Sequence, residues 1–279
     1  TADMQPRRVA KVRLRGSPPA PVLMRGPVLI LAPVLILASV LLLAFGGGSA
    51  RADDAYLLAL TWQPGFCATH AASAECKTVT PRLVLHGLWP DWDGNGDGKR
   101  DDADDTCLSE DGRNAILAIE KGGAAGWPKL PPVALSEASR GDLAGVMPGA
   151  AGGLDRHEWW KHGTCSGLKP EDYFATAVLL VRQVERGALA KLLTERAGGD
   201  LERNALLDAF AADFGKDAAR ALTLDCAKSD AGSALVEIRI RLQRATVTQG
   251  LNADSLAIPE KPAKGDCAAT VHVPDAPKP

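Results

Sequence analysis

The sequence predicts an α+β fold: an antiparallel sheet core with several helices packed around it, in a single domain with three disulfides. Three observations carry this expectation. Strand-like apolar runs lie near both ends of the folded part, helical patterns collect between them, and six cysteines follow an export-type leader. A chain alternating strand and helix throughout would instead build a doubly wound parallel sheet.

Residues 1–52 read as an N-terminal extension and signal peptide, and residues 53–279 as the folded domain. Arg25 precedes Gly26-Pro27, an apolar run from Val28 to Phe45, the small residues Gly46 to Ser49, and the cleavage pattern Ala50-Arg51-Ala52. That is the layout of a secretory leader. The run is also long enough for a retained anchor, but Pro33 and the small-residue tail favour cleavage after Ala52. The expected location is secreted or periplasmic, with no stable membrane association after cleavage.

The leader distorts the charge balance. It holds seven of the 32 basic and one of the 34 acidic residues, so the remaining 227 residues carry 25 bases against 33 acids, a formal charge of −8. An acidic body excludes a general cationic nucleic-acid coat protein, whose affinity resides in clustered Lys and Arg. With 46% hydrophobic and 24% charged residues the composition is that of a globular chain, long enough for one buried core. Cys67, Cys76, Cys107, Cys165, Cys226 and Cys267 all follow the leader and form no CxxC pair. In an exported chain this even count indicates three disulfides rather than reduced thiols or a zinc site.

Along the folded part, Tyr56 to Trp62 and Arg82 to Leu88 are apolar runs ending in loops, as strands do. Asp91 to Asp105 is a loop rich in Gly and Asp, Asn114 to Lys121 a short helix, and Pro128, Pro131 and Pro132 mark another loop. Asp155 to His162 reads as a helix, Glu171 to Arg196 as a long or twice-broken one, and Leu201 to Phe214 as a third. Val236, Ile238, Ile240 and Leu242 then alternate with Glu237, Arg239, Arg241 and Gln243, the period of a half-buried antiparallel strand.

Three of the five histidines fall in two clusters, His86-Gly87-Leu88-Trp89-Pro90 and His157-Glu158-Trp159-Trp160-Lys161-His162-Gly163. His70 and His272, outside them, read as surface residues. On a helix, His157, Glu158, Lys161 and His162 share an arc of about 140° while Trp159 and Trp160 point the other way. A plain surface helix with a Glu158–His162 pair and two core tryptophans would look the same. A zinc motif fails on spacing, because Lys161 stands at i+4 and His162, at i+5, is expected too far round to ligate jointly with His157. A serine-hydrolase elbow, G-x-S-x-G, is absent. Two imidazoles and an ammonium suit metal-free, in-line phosphoryl transfer: one imidazole takes a proton from the attacking hydroxyl, another gives one to the leaving oxygen, and the cation stabilises charge on phosphorus. RNA carries its own nucleophile in the 2′-OH, and a tryptophan beside a histidine offers a face for base stacking.

At Leu85 to Pro90 and His157 to Gly163 the chain resembles the T2 family of acid, largely base-nonspecific endoribonucleases, and Thr61-Trp62-Gln63-Pro64-Gly65-Phe66-Cys67 is similar to the first strand of bacterial members. The resemblance covers most of Asp53 to Val273 and is weakest in the C-terminal third. It implies that His162 is the base on the 2′-OH and His86 the acid to the leaving 5′-oxygen, exchanging roles when water opens the 2′,3′-cyclic phosphate. It also implies that His157 holds the phosphate, that Lys161 and Glu158 stabilise the transition state, and that Trp89 stacks on a base whose edge Asp91 contacts. Single-stranded RNA would be the substrate, DNA would not be cleaved, and neither a cofactor nor a catalytic metal would be needed; a monomer is expected. Cys67 and Cys76 pair by proximity; the family likeness pairs Cys107 with Cys165 and Cys226 with Cys267. A charge of −8 and the need for one neutral and one protonated imidazole place the expected rate optimum below pH 7. Asp93, Asn95, Asp97 and Asp104 match part of a calcium loop, although a plain solvated acidic loop fits as well. The competing reading is a catalytically silent extracellular protein binding RNA or another ligand on the same scaffold.

Overall fold

The computed structural model describes residues 54–92, 106–262 and 265–277. The leader and the Asp93 to Asp104 loop lie outside the described residues. The first strand, β1 (Ala55–Trp62), runs directly into helix α1 (Gln63–Thr69), and β2 (Leu83–Asp91) follows. Six helices come next along the chain: α2 (Glu110–Glu120), α3 (Glu137–Val146), α4 (Leu154–Lys161), α5 (Pro170–Val184), α6 (Ala188–Glu195) and, after the short strand β3 (Gly199–Glu202), α7 (Arg203–Phe214). The strands β4 (Leu222–Ser229), β5 (Gly232–Gln243) and β6 (Thr270–Val273) complete a six-stranded sheet ordered β2-β1-β5-β6-β3, with β4 also paired to β5. Pairing is antiparallel except for one parallel contact, Ala234 with His272. The α+β architecture expected from the sequence is the one observed.

Burial follows each strand's place. β1 lies between β2 and β5 and is buried along almost its whole length, as its unbroken apolar run requires. β5 keeps its alternation, with Ile238, Ile240 and Leu242 in the core and Glu237, Arg239 and Arg241 half-exposed. One residue departs from the expected phase: Leu235 is buried and Val236 is not. Asp225 of β4 faces Glu237 while Cys226 faces Leu235, so Val236 is an extra, unpaired residue, a β-bulge that reverses the alternation.

Other differences have local causes. The Glu171 to Arg196 pattern breaks once, before Gly187, and α6 is started by Asp213 of α7, whose carboxylate accepts the Ala188 N–H at 2.7 Å. Leu201 belongs to β3, where it faces Val271 of β6, so the last helix begins only at Arg203. Pairing with a strand some seventy positions away outweighs the helical spacing here. The four-residue strands β3 and β6 carry too little pattern to be read locally, and β4 alternates only at Leu222 and Leu224 before its polar end.

Helix α5 covers the sheet through Tyr173, Phe174, Ala177, Leu180, Val181 and Val184. Its Tyr173 hydroxyl donates to the Leu88 carbonyl at 2.8 Å, and the Tyr56 hydroxyl donates to the Ser166 carbonyl at 3.1 Å. These two bonds fix the middle of β2 and the turn after α4 in one frame. Disulfides join Cys67 to Cys76, Cys107 to Cys165 and Cys226 to Cys267. The second bears on the site, because beside it Thr106 N–H donates to the Lys161 carbonyl at 2.7 Å and Cys107 N–H to Thr164 Oγ1 at 3.1 Å.

Gln63 staples the segment between α1 and β2. Buried at 1% exposure, its amide donates to the carbonyls of Glu75 and Thr78 at 2.7 and 3.0 Å and accepts from Thr80 N–H and Oγ1 at 2.9 and 3.0 Å. Each buried polar group left without a partner costs about 1–3 kcal/mol. Gln63→Leu is expected to lower unfolding free energy by about 2 kcal/mol or more, read from urea denaturation; an unchanged midpoint would show the staple to be dispensable.

Candidate active site

The site begins with an irregular strand. In the β1–β2 ladder Gly87 faces Ala59 and Leu85 faces Leu60, which leaves His86 as an extra residue in a β-bulge. Bulges re-aim side chains, and this one turns the imidazole toward β5, where Glu237 follows the other bulged residue, Val236. His86 Nδ1 lies 2.6 Å from Glu237 Oε2. On its far side His86 Nε2 lies 3.9 Å from Glu158 Oε1 of α4.

Glu158 is completely buried. Its Oε2 accepts the Trp89 indole N–H at 2.8 Å, and its Oε1, 3.9 Å from the Nε2 atoms of both His86 and His157, accepts no hydrogen bond among the described residues. The approach depends on Gly87, because a Cβ there would lie 1.9 Å from Glu158 Oε2 and 2.2 Å from Trp89 Nε1. His157 is held by Glu120 of α2, whose Oε2 lies 2.8 Å from Nδ1, and its ring stacks on Trp127 with centroids 4.5 Å apart. His162 directly follows α4. Its φ of −114° departs from helical geometry, and its ring lies 5.5 Å from Trp89 and 6.1 Å from His157. Gly163 lets the turn close, since a Cβ there would meet Trp159 Cε3 at 2.4 Å.

The structure thus brings His86, His157, Glu158 and His162 together, with Lys161 in the last turn of α4, and corrects two expectations. Glu158 is not on an exposed polar face but points into β2, while Trp159 enters the core and Trp160, half-buried, donates to the Pro131 carbonyl at 2.8 Å. His162 is not too far round to meet His157: one ligand-type atom from each of His157, Glu158 and His162 lies within 4.8 Å of the others. The ideal-helix angle fails because His162 has already left the helix. Trp89 touches His86 edge-on at 5.1 Å and spends its N–H on Glu158, and Asp91 is bonded by Arg241 of β5. His272 pairs with Asp200 at 2.8 Å, whereas exposed His70 stacks on Phe66 with centroids 4.2 Å apart. That pair lines a cavity of about 690 Å³ with Thr61, Glu75, His86 and Trp127.

Sequence reasoning missed Glu237, Glu120, Glu75 and Trp127. Glu237 looked like one more polar residue on an alternating strand, and Glu120 like the end of a surface helix; no local pattern marks either.

The charges are uneven. Burial opposes a charge on His86, but the hydrogen bond to Glu237 and the negative charges of Glu158, Glu237 and Glu75 outweigh it and raise the pKa to about 9. His86 is therefore an imidazolium at neutral pH. Burial pushes the Glu158 carboxyl above its usual range, against the pull of His162, His86, the Trp89 hydrogen bond and Lys161. Burial likewise raises Glu120, opposed first by Lys161.

A strand imidazole set against a helix and the turn after it, which together carry two more imidazoles, a carboxylate and an ammonium, is an arrangement suited to general acid–base chemistry. Comparison with known proteins narrows that class of chemistry. The profile of the Ribonuclease T2 family matches residues 53–252, and the chain belongs to that family. Ribonuclease I of Escherichia coli (strain K12) is 31% identical over 230 residues, spanning 78% of this chain and 84% of the relative. A ribonuclease-like storage protein of Panax ginseng is 30% identical over 137 residues, 47% of this chain and 49% of its own length. Among solved structures, the self-incompatibility associated SF11-RNase of Nicotiana alata superposes with a TM-score of 0.52 at 20% identity, covering 80% of this chain and all of the other. That likeness supports the fold.

A carboxyl whose folded pKa is raised costs stability at neutral pH and gives it back as the pH falls through that pKa. Glu158→Gln keeps an acceptor for Trp89 and removes the buried charge. Its melting temperature at pH 7 is expected at or above the parent's, the two converging as acid neutralises Glu158, while turnover falls. A deficit at pH 7 that persists unchanged into acid would contradict this assignment.

Proposed function

We propose that the protein is a metal-independent endoribonuclease that cleaves single-stranded RNA, largely without regard to base, through a 2′,3′-cyclic phosphate. The observation that carries this reading is the pairing of an imidazole kept protonated, His86, with a second imidazole, His162, across one buried carboxylate. His162 takes the proton of the 2′-OH, the 2′-oxygen attacks phosphorus, and His86 gives its Nε2 proton to the departing 5′-oxygen. In the second step the roles exchange: His86 takes a proton from water and His162 returns one to the 2′-oxygen. His157 and Lys161 bind the phosphate oxygens as negative charge grows on them. Glu158 cannot itself stabilise that charge as a carboxylate. Its contribution is to favour the charged form of His86.

Trp89 and Asp91 remain the proposed base contacts, Trp89 through its ring face alone and Asp91 alongside Arg241. The protein is further proposed to be exported by its leader, cleaved after Ala52, and to act as a monomer. Because His86 stays protonated up to about pH 9, an optimum below pH 7 would come from repulsion between an acidic body and RNA and from other groups, not from this imidazole.

The test is digestion by the purified Asp53 to Pro279 chain in EDTA across pH 4 to 8. RNA should be cut to 2′,3′-cyclic ends, DNA should survive, and His86→Ala and His162→Ala should each lose at least about 10²-fold in rate. Activity abolished by EDTA and restored by a divalent cation would instead assign His157, Glu158 and His162 to a metal. Intact RNA under all conditions would favour the silent binding protein.

A further inference from the structure

We infer that Glu237 is the positioning residue of His86: its carboxylate accepts the Nδ1–H hydrogen bond, fixes the ring in the β2 bulge, and leaves Nε2 as the nitrogen that faces the substrate. The inference rests on the reading of His86 as the acid of the proposed reaction, and adds to it a residue from a strand that carries none of the motif.

The geometry is specific. An imidazole has two equivalent-looking nitrogens, and the one that works is set by what the other is bonded to. His86 Nδ1 meets Glu237 Oε2 at 2.6 Å, whereas Nε2 points to the site, 3.9 Å from Glu158 Oε1. Both partners owe their placement to bulges: His86 is the unpaired residue of β2, and Glu237 follows the unpaired Val236 of β5. The carboxylate is in turn steadied by Arg239 of the same strand, itself anchored from β4. Arg239 Nε lies 3.9 Å from Glu237 Oε1, and the same guanidinium is bound by both oxygens of Asp225 of β4, at 2.7 and 2.8 Å. The series Asp225, Arg239, Glu237, His86 therefore alternates in charge across β4, β5 and β2.

Among the described residues, the carboxylates that act on His86 are Glu237 from β5, Glu158 from α4 and Glu75 from the Ala74–Cys76 turn, and His70 lines the same cavity. All three carboxylates favour the imidazolium, but only Glu237 touches Nδ1. Glu75 acts on His86 through its charge alone, so changing it alters the field and leaves the ring's anchor intact. That difference separates positioning from general electrostatics.

The experiment compares Glu237→Gln, Glu237→Asp and Glu75→Gln in the full folded chain, by the pH dependence of kcat/KM on RNA and by an NMR titration of the His86 ring nitrogens. Glu237→Gln should move the His86 titration, and the alkaline limb it sets, from about 9 toward acid by about one unit or more, a loss of roughly twofold or more at pH 8 that approaches tenfold above pH 9, with KM little changed. Glu237→Asp should restore part of the shift. Glu75→Gln should move the limb slightly in the same direction while leaving the Nδ1 proton, seen in the nitrogen shifts, in place. An unshifted His86 titration in Glu237→Gln would overturn the inference, whether activity is retained or lost equally at every pH together with thermal stability. If the parent does not cut RNA, the proposed function fails, and the NMR titration still decides whether Glu237 holds the ring.

Discussion

The hydrogen bond from Trp89 Nε1 to Glu158 Oε2 spans the gap between sheet and helix, and the positions of all three clustered histidines depend on it. It forms only because β2 presents Gly87 to α4, where any side chain would collide with the carboxylate. With that contact made, His86 on the strand and His157 on the helix both bring Nε2 to 3.9 Å from the second oxygen of Glu158. The helix itself is held from behind. Trp159 packs edge-on against Tyr173 at 5.7 Å, Tyr173 bonds the Leu88 carbonyl, and Thr106 caps the Lys161 carbonyl where the chain turns into His162. A close strand-to-helix approach is thus built from core packing, and the geometry of the candidate site follows from it.

The same contact sets the electrostatics. A buried carboxylate is costly to keep ionised, and the favourable way to hold one is to surround it with cations and donors. Glu158 has His86, His162, Lys161 and the Trp89 indole. Burial disfavours the charges of Glu158 and His86 alike, and their mutual attraction opposes it for both; burial wins at Glu158 and the attraction wins at His86. Glu237 and Glu75 add to it on the strand side, where Glu120 takes the corresponding place beside His157. Among the described residues Oε1 of Glu158 has no hydrogen-bond donor, which is the remaining cost, and a buried group of this kind calls for an explanation such as a functional role.

Much of this was legible in the sequence, for identifiable reasons. The two histidine clusters are dense local motifs, so residue type picks out paired imidazoles and an ammonium, and the family resemblance of those motifs names His86, His157, Glu158, Lys161 and His162; apolar runs mark β1 and β2, and strict alternation marks the middle of β5. What could not be read depends on pairing across the chain. The bulge at His86 exists only in register with β1, and the bulge at Val236 only in register with β4; together they create the His86–Glu237 contact that no spacing in the sequence suggests. Leu201 was read as helical because its partner Val271 is remote. The ideal-helix angle misplaced His162 because it assumed the helix continues through Gly163. Trp127, in a proline-rich loop, carried no signal that it would lie under His157.

The central claim is a division of labour, with His86 as the acid and His162 as the base, and leaving-group chemistry tests it directly. An RNA dinucleotide whose bridging 5′-oxygen is replaced by sulfur expels a thiolate, which needs no proton from the enzyme because a thiol is already a comparatively strong acid. On this substrate the account predicts that His86→Ala cleaves at close to the parent rate while His162→Ala remains slow, in contrast to ordinary RNA, where both are slow. Equal impairment of His86→Ala on the oxygen and sulfur substrates would contradict the assignment of His86 as the acid.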